Sequence, residues 1–583
     1  MALDLLLEQF DGLIQTPADV KKLEQTILQW AVMGRLAPQD ANDEPASVLL
    51  KRIAAERARL VKEKKIKRAK KWPPISDDEI PYPVPSSWKW VRLPEIYYSH
   101  GQTKPDRLFT YIDVSAINKE DGVIGNELQI VKPENAPSRA RKLVANGSIL
   151  YSTVRPYLLN IAIVDGEISP KPIVSTAFAV MQPFTGVFNR FLYFYLRSKP
   201  FIEFVESQMT GVAYPAISDS KLNLGLVPLP PTEEQKRIVA RVDELFEQTR
   251  TLAAQLEAAQ EARTRLHRAA VGQFVAAISK SRPLEPALAP SCPESQDIQA
   301  LLMAQFDRLH TQQADVDALK QTILQLAVMG RLVAQDPNDE PASVLLKRIA
   351  AEKARLVKEK KIKRPKKLPP ISDEEMPRIP QNWKWTYLNN LLVGIKAGKS
   401  PQAQKRPAEN GEVGVLKVSA VTWGTFNPIE NKALLPGTDV TNWPTVQASD
   451  LLISRANTAE LVGTVVLVEE DYPNLVLSDK TLRLDFVHDS IFKPFMLFAL
   501  RARWVRDMFE GGAIGTSSSM RNISQSKIRA AKIALPPLKE QKRIVAKVDE
   551  LFALCDQLAA GLESAEAMRE RFLDAVLAQA VRG

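Results

Sequence analysis

Cysteine and histidine are nearly missing from this chain of 583 residues. Two cysteines, Cys292 and Cys555, and four scattered histidines supply neither a disulfide framework nor the spacing of a zinc site. A reducing cytoplasm is the expected compartment. No apolar run approaches the roughly 20 residues that span a bilayer, and the start, MALDLLLEQFDGL, carries acids where a secretion signal needs bases. No membrane association is expected. Catalytic signatures are missing as well. A methylase of exocyclic amines needs a glycine-rich cofactor loop after a strand and an Asn/Asp-Pro-Pro-aromatic tetrapeptide, whereas Asn427-Pro428-Ile429 lacks both the second proline and the aromatic residue. In GIKAGKS, Gly394–Ser400, the first glycine sits one residue too close to Gly398-Lys399-Ser400 for successive amides to enclose phosphates. Asp106 and Glu120 are not followed by the Glu-x-Lys that a metal-dependent nuclease would add. The chain is therefore expected to be no enzyme, with no catalytic, cofactor-binding or metal-binding residue of its own.

What is present is repetition. LPPTEEQKRIVARVDELF at Leu229–Phe246 returns as LPPLKEQKRIVAKVDELF at Leu535–Phe552, identical at 15 of 18 positions. Gln25–Pro81 and Gln321–Pro377 match at 48 of 57 positions. Between these blocks, roughly 90–228 and 386–534 show almost no likeness. The flanks thus do one job twice while the centres do two different ones. Lys and Arg total 78 against 68 acidic residues, a net charge of +10 that suits nucleic acid or an acidic partner. In Lys62–Lys71 and again in Lys358–Lys367, seven residues of ten are basic, a composition able to track phosphates or simply to solvate a helix end.

After each Pro-Pro the apolar residues follow a 4-3-4-3 rhythm. It runs through Ile238, Val242, Leu245, Leu252, Leu256 and Leu266 in the first copy, and Ile544, Val548, Leu551, Cys555, Leu558, Leu562 and Phe572 in the second. This predicts two long helices whose seams would bury each other, with Cys555 as a seam residue and not a reactive thiol. Thr232 and Gln235 have the spacing of a capping box. The leading blocks read as helix pairs. Val20, Leu23, Ile27 and Ala31 stripe the first helix, Gly34 breaks it, and Val48, Leu49, Ile53 and Leu60 stripe the second. Ser281–Gln296 is a Pro-rich linker between the copies. The centres carry short apolar runs broken by turn residues, the pattern of mixed α/β domains.

The duplicated LPP-x-x-EQKRIVA segments resemble the helical regions of type I restriction-modification specificity subunits. Leu451–Gly463 (LLISRANTAELVG) and Gly515–Ser524 (GTSSSMRNIS) are similar to that family's target-recognition segments, with Ile149–Val164 and Gly211–Ser218 in the matching places of the first centre. The expected class is α+β: two mixed α/β target-recognition domains separated by a long antiparallel helical coiled-coil spacer, with a pseudo-two-fold repeat and helical leader blocks. The expected boundaries are leader 1–85, recognition domain 86–230, spacer helix 231–280, linker 281–296, leader 297–380, recognition domain 381–536 and spacer helix 537–583. The resemblance implies that each recognition domain reads one half of an asymmetric, bipartite site on double-stranded DNA. It implies that the helices set the gap and dock two copies of a methyltransferase subunit, and that an ATP-dependent restriction and translocase subunit can join them. S-adenosylmethionine would be held by the partner, not by this chain. A duplicated coiled-coil scaffold that assembles proteins without touching DNA is the alternative; it leaves the divergence of the two centres unexplained.

Recognition combines phosphate anchoring by Lys and Arg with bidentate reading of base edges. Loops rich in such residues nominate Lys104, Arg107, Arg139, Arg141, Lys142, Thr153, Arg155 and Tyr214 in the first domain. In the second they nominate Lys399, Gln402, Lys405, Arg406, Arg455, Asn457, Lys480, Ser518, Ser519 and Arg521. Arg155 and Arg455 stand out, because each follows a matching apolar run near a strand end.

Overall fold

Helix α1, Pro17–Val32, starts where Thr16 and Asp19 cap each other: the Thr16 hydroxyl accepts from the Asp19 amide at 3.2 Å and the Asp19 carboxylate accepts from the Thr16 amide at 2.9 Å. In this computed structural model the described residues are 13–280 and 313–582, apart from 69, 212–213, 373–375, 410, 422–423, 488–490 and 518–519. The linker Ser281–Gln296 therefore lies outside them, together with Cys292. The chain divides into two units, residues 1–260 with 568–583, and residues 261–567.

In the first unit the stripe Val20, Leu23, Ile27 and Ala31 is buried as the spacing predicts. Gly34 ends the helix with φ +72°, and a β-carbon there would lie 2.6 Å from the Pro85 ring, so both backbone and packing demand glycine. Helix α2, Ala46–Lys62, buries Ala46, Leu49, Ile53 and Leu60. Val48, expected in that stripe, is instead 38% exposed, because helical spacing from Ile53 selects positions 49 and 46.

The central region then forms two four-stranded sheets. In one, Phe109–Ile112 lies between Gln129–Val131 and a parallel neighbour, Pro172–Ser175, which also pairs with Ala140–Leu143. The other runs Tyr97–Tyr98, Phe178–Pro183, Ile149–Ser152, Ile161–Ile163. A separate antiparallel pair, Lys89–Arg92 with Leu226–Leu229, joins the first and last strands of the domain. The Pro-Pro step follows at once, and helix α3, Thr232–Lys280, begins.

The second unit repeats this plan. Helices α4, Gln313–Val328, and α5, Ala342–Lys358, lead into the pair Lys384–Tyr387 with Lys532–Leu535. Its sheets are ordered Asn431–Ala433, Gly414–Leu416, Tyr472–Val476, Thr445–Val446 and Leu392–Ala397, Thr481–Phe486, Leu451–Ser454, Val465–Leu467. The strand order and the parallel pair match the first domain, although the sequences do not. A small third sheet, Ala456–Asn457, Met520–Asn522 and Ile514–Ser517, is added. The final helix, α6, spans Leu538–Arg582. Gly394–Ala397 of the GIKAGKS segment belongs to a strand, and a β-carbon on Gly398 would strike the Leu477 carbonyl at 1.6 Å. That segment forms no phosphate loop.

The expected capping box at Thr232 and Gln235 is replaced by a longer-range device. The Gln235 amide accepts from Phe188 N at 2.7 Å and donates to Pro230 O at 3.0 Å, while the Thr232 hydroxyl donates to Gly186 O. Gln541 repeats these bonds to Phe492 N and Pro536 O, in a copy where Leu538 stands in place of Thr232. Glutamine thus fastens each long helix to its own sheet domain.

The seams are also partnered differently than expected. Ile238, Val242 and Leu245 are buried inside the first unit, and the Thr249 hydroxyl donates to the Glu24 carboxylate of α1 at 2.8 Å. In the second unit Ile544, Val548 and Cys555 are buried, and Lys320 of α4 pairs with Asp556. Burial pushes the Cys555 thiol up, as befits a seam position. Each leader therefore covers the start of its own seam. Further along, Leu252 and Leu256 gather with Leu573, Val576 and Leu577 of α6 in the first unit's core. Leu266 and Phe572 lie outside the seam, 60% and 59% exposed. On α6 the buried positions are Leu573 and Leu577, one step on, because a straight helix drifts against a strict heptad. This last stretch is clamped to α1 by Arg569, which donates to Asp19 at 2.7 Å, and by Trp30 donating to Ala580 O at 3.0 Å.

Both long helices begin with a buried acid. Glu234 accepts from Gln39, and Glu540 accepts from Gln335, beside the ion pairs Arg237–Asp43 and Arg543–Asp339. Burial pushes both carboxyls up, Glu540 to about 7. Its proton is thus held more tightly in the folded chain than in the unfolded one, where the ordinary value is 4.5. The resulting stability is complete below that value and is lost as the pH rises through about 7. The stability of the second unit against thermal unfolding is expected to fall by about 1–3 kcal/mol between pH 5 and 8 from this site. Glu540→Gln should flatten that dependence, and an unchanged profile would show that the acid does not titrate there.

Candidate nucleic-acid interface

At the end of strand Ile149–Ser152 the chain turns through Thr153 and Val154 to Arg155, whose φ is +48°, a left-handed conformation rare for a branched or long side chain. It is held there by backbone bonds: Ile217 N donates to Thr153 O at 2.9 Å, and Arg155 N donates to Pro215 O at 2.8 Å. The Arg155 guanidinium lies 4.8 Å above the ring of Tyr214, which is 70% exposed. Its Nε is buried without a partner among the described residues. Tyr157 and Leu158, 43% and 38% exposed on the next turn, complete an apolar tip that sequence reasoning passed over. An apolar triplet inside a loop was the available signal.

The second domain builds the same place with other residues. Arg455 N donates to Lys480 O at 2.9 Å, Ile523 N donates to Arg455 O at 2.8 Å, and Asn457 stands opposite Arg521 in a strand pair. The hydrogen bonds fix the alignment of the two domains. Ser152 Oγ donates to Val154 O and Ser454 Oγ to Ala456 O; Thr153 N donates to Ala177 O where Arg455 N meets Lys480 O. Thr153 is thus the counterpart of Arg455, and Arg155 that of Asn457. Arg155 and Arg455, which both follow similar apolar runs, therefore stand two positions apart in the aligned loops.

The remaining candidates divide between exposed loops and internal structure. Lys104, Arg107 and Arg139 are exposed, Arg107 next to Asp106, while Arg141 is half-buried. Their backbones are linked, with Thr103 N donating to Arg141 O and Thr176 N to Arg139 O, one residue from the Thr153 contact. Lys142 is 7% exposed, and its ammonium donates to Phe178 O at 2.6 Å and to Asp219 at 2.9 Å. Thr153 is also buried, its hydroxyl donating to Ala177 O. The side chains of these two therefore serve the domain's interior, contrary to expectation. In the second domain Lys399 lies 5.7 Å over Trp443, and Gln402 and Lys405 are exposed. Gly398 N donates to Ser478 O, bringing that loop beside Lys480. Arg406 makes a bidentate pair with Glu412 at 2.6 and 2.7 Å, and the guanidinium holds the Glu412 carboxyl down at about 2. Ser518 and Ser519 lie outside the described residues. Among the described residues no group of three His, Cys, Asp or Glu could hold a metal ion, and no helix is long and apolar enough to cross a membrane.

Two sheet domains of like strand order and unlike sequence, each on a repeated helical support, define the class of protein. Residues 85–261 and 380–565 match the family of the Type I restriction modification DNA specificity domain. The chain belongs to the type I restriction-modification specificity subunits, the non-catalytic subunits that determine DNA target recognition. It is 36% identical over 569 residues to the Type I restriction enzyme EcoEI specificity subunit of Escherichia coli, spanning 96% of this chain and 93% of that protein. It is 35% identical to the EcoAI specificity subunit of the same species, over 96% and 94%. Among solved structures, the crystal structure of the HsdS subunit from Thermoanaerobacter tengcongensis is 24% identical, covering 87% of this chain and 99% of that one, with a TM-score of 0.39. A chain from a study of complex assembly and conformational transition of the type I R-M system is 23% identical over 86% and 100%, with a TM-score of 0.49. The scaffold without DNA gives way to this membership.

The interior role of Lys142 is directly testable. Lys142→Met leaves the Phe178 carbonyl and Asp219 without their donor, which should destabilise the first unit by about 1–3 kcal/mol. Thermal unfolding measures this, and the DNA sequence recognised should stay the same; a changed target with unchanged stability would return Lys142 to the interface.

Proposed function

We propose that each recognition domain reads one half of an asymmetric, bipartite site on duplex DNA, while the long helices set the gap between the halves. One observation carries the reading: two domains share strand order, parallel pair and loop hydrogen bonds, yet present different side chains at corresponding places. A shared frame with exchanged contact residues suits two targets of one chemical kind. Arg155 with Tyr214 in the first domain, and Arg455, Asn457, Lys480 and Arg521 in the second, are the base-reading candidates. Arginine forks suit guanine O6 and N7, and asparagine suits adenine N6 and N7. Lys104, Arg107, Arg139, Arg141, Lys399, Gln402, Lys405, Arg406, Ser518 and Ser519 are phosphate or rim candidates.

The near-identical flanks support identical partners, so two copies of a methyltransferase subunit dock on the two spacer regions. S-adenosylmethionine belongs to that subunit, which methylates adenine. An ATP-dependent restriction and translocase subunit joins the same complex. The assembly works in the cytoplasm, where the DNA is.

Replacing residues 386–534 with the corresponding domain of a relative should change one half of the methylated sequence and leave the other intact. Mapping methylated adenines reads this out, and a simultaneous change in both halves would refute the division of labour. Arg455→Ala should relax discrimination at one base pair by roughly 1–3 kcal/mol. Uniform weakening across all sequences would instead make Arg455 a phosphate contact.

A further inference from the structure

The basic tails that follow α2 and α5 keep exposed side chains on a backbone that is held to the fold. At Lys64 and Lys360 the backbone turns through φ +55° and +57°, with Lys65 N donating to Leu60 O and Lys361 N to Leu356 O, both at 2.9 Å. The extended chain that follows is then fastened to the recognition domain. Arg92, 3% exposed, donates to Pro73 O and Pro74 O, and Asn389 donates to Lys366 O at 3.2 Å. Ile66 packs on the first unit's core. Each tail thereby walls a cleft against an edge strand of its own domain, Tyr97–Tyr98 in the first unit with about 1050 Å³ and Leu392–Ala397 in the second with about 510 Å³.

The charge in these clefts is unbalanced. Lys65 and Lys361 pair with Glu63 and Glu359, but no ion pair engages Lys64, Lys67, Arg68, Lys363, Arg364 or Lys366 among the described residues. In the second cleft burial and then the neighbouring Arg529 push the Lys353 ammonium down to about 8. Lys353 stays bonded to Asn389 O and Asn390 O, as its counterpart Arg57 is to Pro94 O and Glu95 O. The side chains of Lys64, Lys67, Arg68, Lys363, Arg364 and Lys366 are exposed on the cleft walls, where an anion can reach them.

The position points the same way. The first cleft reaches Gln102 and Lys142, next to the Lys104 loop; the second is lined by Ser526 and Arg529, directly after strand Met520–Asn522. The tails are shared between the copies while the reading loops differ, so whatever they bind lacks base identity. We infer that the two clefts are phosphodiester sites, gripping the DNA backbone beside each half-site independently of sequence; this rests on the proposed DNA-reading function.

The test uses the full chain assembled with its methylating subunits. Three variants are compared with the parent: Lys67→Ala with Arg68→Ala, Lys363→Ala with Arg364→Ala, and the charge-keeping Lys67→Arg with Arg68→Lys. Binding is measured over a salt series to a duplex carrying the sequence methylated in cells and to an unrelated duplex. Each neutralised pair should weaken both duplexes alike, on the order of fivefold at physiological salt for each phosphate no longer gripped, and reduce the slope of log K against log salt by about 0.9 per phosphate. The charge-keeping variant should restore both, with the methylated sequence unchanged throughout. Unchanged affinity and slope would overturn the inference, as would failure of subunit assembly with DNA binding intact, which would assign the clefts to an acidic protein surface. Failure of the underlying reading looks different: the parent itself would not distinguish the two duplexes.

Discussion

Every recognition domain here depends on closure of its own ends. The strand pair Lys89–Arg92 with Leu226–Leu229, and its counterpart Lys384–Tyr387 with Lys532–Leu535, bring the point of entry beside the point of exit. The Pro-Pro step cannot continue a strand ladder, and the following glutamine ties the new helix back to the sheet domain through Phe188 N or Phe492 N. The domain between is held at one place and is free to vary elsewhere. The reading loops inherit their position from this closure and need no contact with the opposite copy.

Much of this was legible because repetition and periodicity are local signals. The stripe of α1, the break at Gly34 and the burial of Cys555 follow from spacing alone. What failed involves partners distant in the chain. Thr232 and Gln235 have capping-box spacing, yet Gln235 bonds Phe188, 47 residues earlier. Leu266 and Phe572 keep heptad register but fall off the buried face, since a seam is set by whichever helix covers it. Arg155 and Arg455 each follow a matching apolar run, but only the bonds from Ile217 and Ile523 reveal that they stand two residues apart in the aligned loops. Lys142 reads as a surface lysine, and the Asp219 carboxylate that claims it comes 77 residues later.

The two copies are alike in frame and unlike in detail even where their flanks agree. Glu24 meets Thr249 in the first unit, whereas its counterpart Lys320 pairs with Asp556 in the second, one position past Cys555, the counterpart of Thr249. An acid bonded to a hydroxyl has given way to a base paired with the next residue along. By contrast Gln39 with Glu234, and Gln335 with Glu540, are kept together with their neighbouring ion pairs. The helix-to-leader contact therefore tolerates exchange of partners, whereas the helix start does not.

Residues 568–583 close the core of the first unit although they are separated from it by the whole second copy. On the ribosome the first leader emerges early, and Asp19, 1% exposed in the folded chain, then has no Arg569 to meet. Leu573 and Leu577 are likewise missing from the apolar surface they will cover. The first unit must wait, partly assembled, through translation of some three hundred further residues. A nascent chain in that state exposes a leader face that a holding chaperone can shield, and a stalled or truncated product would keep it uncovered.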